Sequence, residues 1–268
     1  MRHRGVVVVL AVALVLLGAV PALAEDQPWL SFSNSVNYSV GDYGTGKDTT
    51  IVYIPFTLGV RPLDTLWIRL TVPYIEQTSQ NVVSTGGGVA ARNEARGKLA
   101  RPARSTTEAG PGDVLLKVSW AVVQEGPVLP EIAPYVKIKF PTADESRGLG
   151  TGEFDETFGV DVSKALLDKL FGYLTLSYTF VGSPPGADLR NSFGWSLGAA
   201  YAVLTPLSVF GFLEGATAIA RGQADPVDVV VGAEFALTKV LKLTGSVTRG
   251  LTNGAADWGV SGGFALRF

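Results

Sequence analysis

The stretch Trp258-Gly-Val-Ser-Gly-Gly-Phe-Ala-Leu-Arg-Phe268 decides how this chain is read. Every second residue gives Trp258, Val260, Gly262, Phe264, Leu266 and Phe268 on one face, against Gly259, Ser261, Gly263, Ala265 and Arg267 on the other. An apolar face with aromatic residues at both ends, backed by a small or polar face, is the pattern of a membrane-spanning barrel strand. Its outer face meets lipid and its inner face meets water. The rival is an edge strand of a soluble sheet, and the remainder of the chain weighs between the two.

Working outward, the same period-two alternation recurs. Trp29 to Val40 sets Leu30, Phe32, Val36, Tyr38 and Val40 against Ser31, Ser33, Ser35, Asn37 and Ser39, with Asn34 alone breaking the apolar row. Further strands are expected near 49–60, 65–76, 113–123, 131–140, 154–163, 171–181, 192–203, 207–219, 227–238 and 241–251, with the last strand ending the chain. The stretch 207–219 is ambiguous because both faces are partly apolar. Glu214 is placed inward, since a carboxylate facing lipid is costly. Lys164 to Leu170 fits a short connection that could hold one helical turn. The total is twelve, an even number, which puts both ends on the periplasmic side. Connections after even strands are short, and those after odd strands are polar or Gly-rich and face outside. The expected fold is therefore an all-β, 12-stranded antiparallel transmembrane β-barrel, an up-and-down meander in the bacterial outer membrane. Its terminal Phe268 resembles the closing strand of such barrels, whose assembly machinery reads that end.

Composition agrees. Glycine is frequent (32 residues) and charge is sparse, yet no interior run is long enough for a transmembrane helix. The one long apolar run is N-terminal: Arg2, His3 and Arg4, then Val6 to Val20, then Pro21-Ala-Leu-Ala24. A basic start, a short apolar core and an Ala-x-Ala end describe a secretory signal peptide. A membrane anchor needs about 20 apolar residues, so the domains are 1–24, signal peptide, and 25–268, outer-membrane barrel.

Several function classes fall away. Cysteine is absent and His3 is the only histidine, so the mature chain keeps none. Hydrolytic and acyl-transferring barrels generally pair a His general base with a Ser or Asp. An enzyme is therefore not expected, and neither a metal nor a cofactor is implied. Removing Arg2 and Arg4 from 22 basic residues leaves 20 against 24 acidic, so nucleic acid is not an expected partner. The glycine stretches 86–88 and 148–152 lack the Lys and the strand-to-helix setting of a phosphate-cradling loop and read as turns. Tyr74, Trp120, Tyr178, Trp195 and Trp258 point outward and suit an interfacial belt.

Pro134-Tyr-Val-Lys-Ile-Lys-Phe-Pro-Thr142 with Gly148-Leu-Gly-Thr-Gly152, Val72-Pro-Tyr74 and Gly110-Pro-Gly-Asp113 resemble the outer-membrane family named for the MetA-pathway of phenol degradation. Ala143 stands where Gly is expected after Pro-Thr. The resemblance implies passage of small hydrophobic or aromatic solutes across the outer membrane, and it brings no agreed binding residues.

The candidate site is the lumen, with inward ionisable residues Arg69, Lys117, Glu131, Lys137, Lys139, Asp161, Glu214, Glu234, Lys242 and Arg267. They either line a solute path and set its selectivity or pair across strands and fill the interior. In the first case the protein is a channel, and in the second it is a structural or adhesive barrel. Arg92, Arg96, Lys98, Arg101 and Arg104 in the segment 77–111 could meet lipopolysaccharide phosphates or simply be solvated. Outer-membrane lipid, lipopolysaccharide, the assembly machinery through Phe268 and small hydrophobic solutes are the expected partners.

Overall fold

The structure, a computed structural model, describes residues 28–43, 48–78, 82–85, 88–91 and 107–268. The expected signal peptide 1–24 and the basic cluster Arg92 to Arg104 lie outside the described residues. Twelve strands form the wall: β1 (Leu30–Gly41), β2 (Thr49–Leu63), β3 (Leu66–Gln77), β4 (Val114–Trp120), β5 (Glu131–Phe140), β6 (Asp155–Leu167), β7 (Leu170–Val181), β8 (Ser192–Leu204), β9 (Leu207–Ala216), β10 (Val227–Ala236), β11 (Leu241–Gly250) and β12 (Trp258–Arg267). Each pairs antiparallel with its chain neighbours, and β1 pairs with β12 from Ser31↔Arg267 to Val40↔Trp258, so the sheet closes on itself. Closure removes the open edge whose unpaired backbone groups could not be satisfied in lipid. At the seam's end the Leu30 amide donates to the Phe268 carbonyl (3.3 Å) and the Phe268 amide to the Leu30 carbonyl (2.9 Å).

The alternation read from the sequence becomes the two faces of this wall. Phe56, Leu58, Leu70, Val72, Phe158, Phe193, Leu197, Val247 and Trp258 lie on the outer surface, exposed. Cross-strand rings stack there, as in Tyr38 against Trp258 (5.5 Å) and Phe32 against Phe264 (6.1 Å). Tyr74, Trp120, Tyr178 and Trp258 are exposed near strand ends, where amphipathic rings meet the membrane interfaces. A one-residue slip would turn every such side chain inward, so the pattern fixes register.

Two boundaries differ from expectation. β6 runs to Leu167 and turns at once into β7, with no helical turn. The ladder persists because Ala165 and Lys164 pair with Phe171 and Gly172, and Lys164 Nζ reaches Glu125 Oε1 at 3.2 Å in the β4–β5 connection. β9 stops at Ala216, because 217–220 leave the wall and bury Ala218, Ile219 and Ala220 in a loop. In the long polar segment, Val82–Thr85 and Gly88–Ala91 pair as a hairpin, and Glu108–Pro111 extends the ladder on the upper half of β3.

Candidate functional site: the barrel lumen

All ten candidate residues lie on the inward-facing parity of their strands, and the cross-strand register sorts them into rows. One continuous row passes through directly opposed residues Arg267, Ser31, Gly59, Arg69, Lys117, Lys137, Thr157, Thr179 and Ser192. It starts near the chain ends and finishes at the other mouth, because strands in a barrel are staggered. A second row runs Ala133, Asp161, Thr175, Ser196, Glu214 and Asp228. Arg267, Arg69, Lys117 and Lys137 thus share the first row, and Asp161, Glu214 and Asp228 share the second.

Some of these charges are held by partners. Lys117 Nζ bonds Asp161 Oδ2 at 2.8 Å and crosses the face of Tyr135 at 3.7 Å from the ring centre. The other Asp161 oxygen accepts from the Thr175 hydroxyl at 2.8 Å. Tyr135 itself rests on Gly159, whose missing side chain makes room for the ring. Lys242 and Glu234 form a 2.7 Å ion pair. Glu131, at the opposite end of β5 from the loop, is directly opposite Ser163. Arg61 and Arg69 both lie over the Trp67 ring, at 5.8 and 5.6 Å from its centre.

Lys139 has a different fate from its neighbour two residues back. It is 1% exposed and lies 3.0 Å from Asp155 and 3.4 Å from Asp113, with the Thr151 hydroxyl at 2.9 Å. Asp155 also accepts from the Gly182 amide and Asp113 from the Ala143 amide, both at 2.9 Å. Lys139 is thus set apart from the other candidates, its ammonium enclosed by two carboxylates under a loop. That loop, 141–154, folds inward. Leu149 and Thr151 are buried, Gln77 Nε2 donates to the Gly148 carbonyl at 3.0 Å, and a side chain at Gly150 would meet the Asp113 carboxylate at 2.7 Å. The short helical turn Glu145–Arg147 is capped by Asp144, whose carboxyl is held below its ordinary pKa chiefly by the Ser146 hydroxyl.

Above the acidic row a cavity of about 430 Å³ is lined by Thr175, Ser177, Ser196, Glu214, Asp228 and Tyr43, among others. Glu214 accepts from the Ser196 hydroxyl at 3.0 Å. Tyr43 folds back over the opening, its hydroxyl 3.1 Å from Ser39 and its carbonyl accepting from Gln223 at 3.1 Å. Burial pushes its phenol pKa up.

Sequence reasoning missed two features of this lumen. Asp228 shares inward parity with Glu234 and could have been found by counting back along β10. Phe171, Tyr173, Phe210, Phe212 and Val230 also point inward and build an apolar patch, with Phe212 6.0 Å from Phe210 and 5.9 Å from Tyr173. Phe212 fits because Gly198 opposite it has no side chain. Apolar residues on both faces of β9 gave no parity signal, which is why that strand was ambiguous.

The family model described as "Putative MetA-pathway of phenol degradation" matches residues 60–268. No curated protein matches the chain. Among solved structures, an outer membrane channel from Pseudomonas putida F1 is similar at a TM-score of 0.67 and 15% identity, over 91% of this chain and 97% of that one. The KdgM porin in complex with disordered oligogalacturonate is similar at 0.56 and 9% identity, over 89% and 99%. The Ralstonia pickettii toluene transporter TbuX is similar at 0.50 and 11% identity, over 91% and 90%. These likenesses are of fold.

Proposed function

The chain belongs to the family of the MetA-pathway of phenol degradation, and from that premise we propose that it is an outer-membrane channel passing small hydrophobic or aromatic solutes. The observation that carries this reading is the mixed interior. A cavity of about 430 Å³ lies inside a closed wall, and inward aromatic side chains (Trp67, Tyr135, Tyr173, Phe210 and Phe212) stand beside polar rows. An apolar solute loses little on leaving an apolar phase for such a lining, whereas a uniformly charged lumen would exclude it. Channel and transporter likenesses, one of them to a toluene transporter, support the same class. Nothing in the reading calls for catalysis.

A structural or adhesive barrel with a filled interior is the second reading. The ion pairs Lys117–Asp161 and Lys242–Glu234 and the inward apolar patch favour it. Liposome swelling with benzyl alcohol, cyclohexanol and glucose separates the two. The channel reading expects swelling with the small apolar alcohols that exceeds protein-free liposomes. A rate equal to protein-free liposomes for every solute would leave the filled barrel.

A further inference from the structure

We propose that Tyr173, Phe212 and Phe210 form a ladder of rings that makes the barrel prefer aromatic solutes to saturated ones of the same shape; the inference rests on the channel reading and names what sets its selectivity. The register places Tyr173 and Phe212 on either side of Gly198. They stand one pleat nearer the strand-joining turns than Thr175, Ser196 and Glu214, which line the cavity. Phe210 lies one pleat further toward the turn between β8 and β9. The rings follow one another, Tyr173 to Phe212 at 5.9 Å and Phe212 to Phe210 at 6.0 Å between centres, within the roughly 4.5–7 Å spacing of interacting rings. At about 3.3 Å per residue the ladder carries roughly 13 Å along β9 from Glu214 to Phe210. The next inward position, Ser208, is opposite Glu234, which Lys242 holds. A solute that leaves the cavity along this wall therefore passes rings before it meets polar groups again.

The two phenylalanine rings lie back along the wall. Phe212 takes the space that a side chain at Gly198 would fill, and Phe210 takes that at Gly232, the residue opposite it on β10. Rings seated over glycine leave the barrel axis clear, whereas rings aimed at the axis would block it. Phe212 is buried and backs the other two, while Tyr173 and Phe210 are half-buried and keep surface toward the lumen. An aromatic guest gains edge-to-face or offset contacts with these two rings. A cyclohexyl guest buries nearly the same apolar area but has no π face. The difference between the two guests therefore reads the ladder apart from general hydrophobicity.

The test uses two zwitterions that do not cross lipid unaided, phenylalanine and cyclohexylalanine, with uptake into proteoliposomes measured by mass spectrometry. Below saturation, flux follows occupancy of the rings, so the wild type should take up phenylalanine roughly three- to tenfold faster. Tyr173→Leu/Phe210→Leu keeps the lining apolar and should bring the ratio to about one, the loss of the ring contacts alone. Phe193→Leu, on the lipid face, should keep the wild-type ratio. Heat-modifiability on gels verifies that each protein folds. Should the double variant not fold, Phe210→Leu against Phe210→Tyr, which keeps a ring, reads the same ratio. In detergent, saturation-transfer NMR should reach the phenyl protons more strongly than the cyclohexyl protons, and the double variant should lose that contrast. Equal uptake of both solutes by the wild type, or a ratio that the ladder variants keep, overturns the ladder and leaves the channel reading standing. Absent uptake together with an NMR contrast that the variant loses supports the rings as a binding site and overturns the channel reading instead. Absence of both overturns the two together.

Discussion

Replacing Lys139 with methionine tests whether a buried ion cluster latches the 141–154 loop into the barrel mouth. Methionine nearly preserves the side chain's length and removes its charge. Asp155 (1% exposed) and Asp113 (6% exposed) then face each other without the ammonium that lies 3.0 and 3.4 Å away. Removing one partner of a buried ion pair costs about 3–5 kcal/mol, because the remaining charge is left uncompensated. The cheapest relief is for the loop to lift, since Asp113 holds the Ala143 amide and Lys139 holds Thr151, and water then reaches both carboxylates. At about 1.4 kcal/mol per factor of ten, the open population should rise by roughly 10²- to 4 × 10³-fold. Limited trypsin digestion reads this at Arg147, with the cut assigned by mass spectrometry and the wall monitored by heat-modifiability. Adding Asp155→Asn should recover part of the protection by removing one of the two stranded charges. Cleavage at Arg147 no faster than wild type, in a barrel that is still folded, would refute the latch.

Three further outcomes are expected. Single cysteines at Ser33 and Arg69 should react with a membrane-impermeant maleimide, and those at Phe32, Ile68 and Trp258 should not; the reverse pattern would mean a register shifted by one. Deleting Phe268 removes two seam hydrogen bonds to Leu30, worth roughly 1–3 kcal/mol together, and should lower the refolded yield in lipid, whereas an unchanged yield would deny the seam that role. Gly159→Leu puts a side chain where the Tyr135 ring rests and should cost about 1–3 kcal/mol by overpacking, seen as a lower urea midpoint; an unmoved midpoint would show that the ring does not need that space.

The sequence alone determined the barrel, its strand count, its register parity and which face meets lipid. These follow from period-two alternation, which is local: each residue's face is fixed by its neighbours two positions away. Parity likewise placed all ten candidate ionisable residues inward, and a parity count would have added Asp228. What surrounds each of those charges is a different kind of fact. Lys137 and Lys139 are equivalent by alternation, yet one lies opposite Lys117 in the lumen row and the other is sealed between Asp113 and Asp155 under a loop. Partners at separations of 16 to 44 residues, as in Lys139–Asp155 and Lys117–Asp161, are brought together by the pairing register of β4, β5 and β6. No local pattern encodes that register. The inward fold of 141–154, the seating of Tyr135 on Gly159 and of Phe212 on Gly198, and the line of the cationic row all depend on strand pairing. Only the tertiary structure decided them, because each is a contact between residues that the chain keeps far apart.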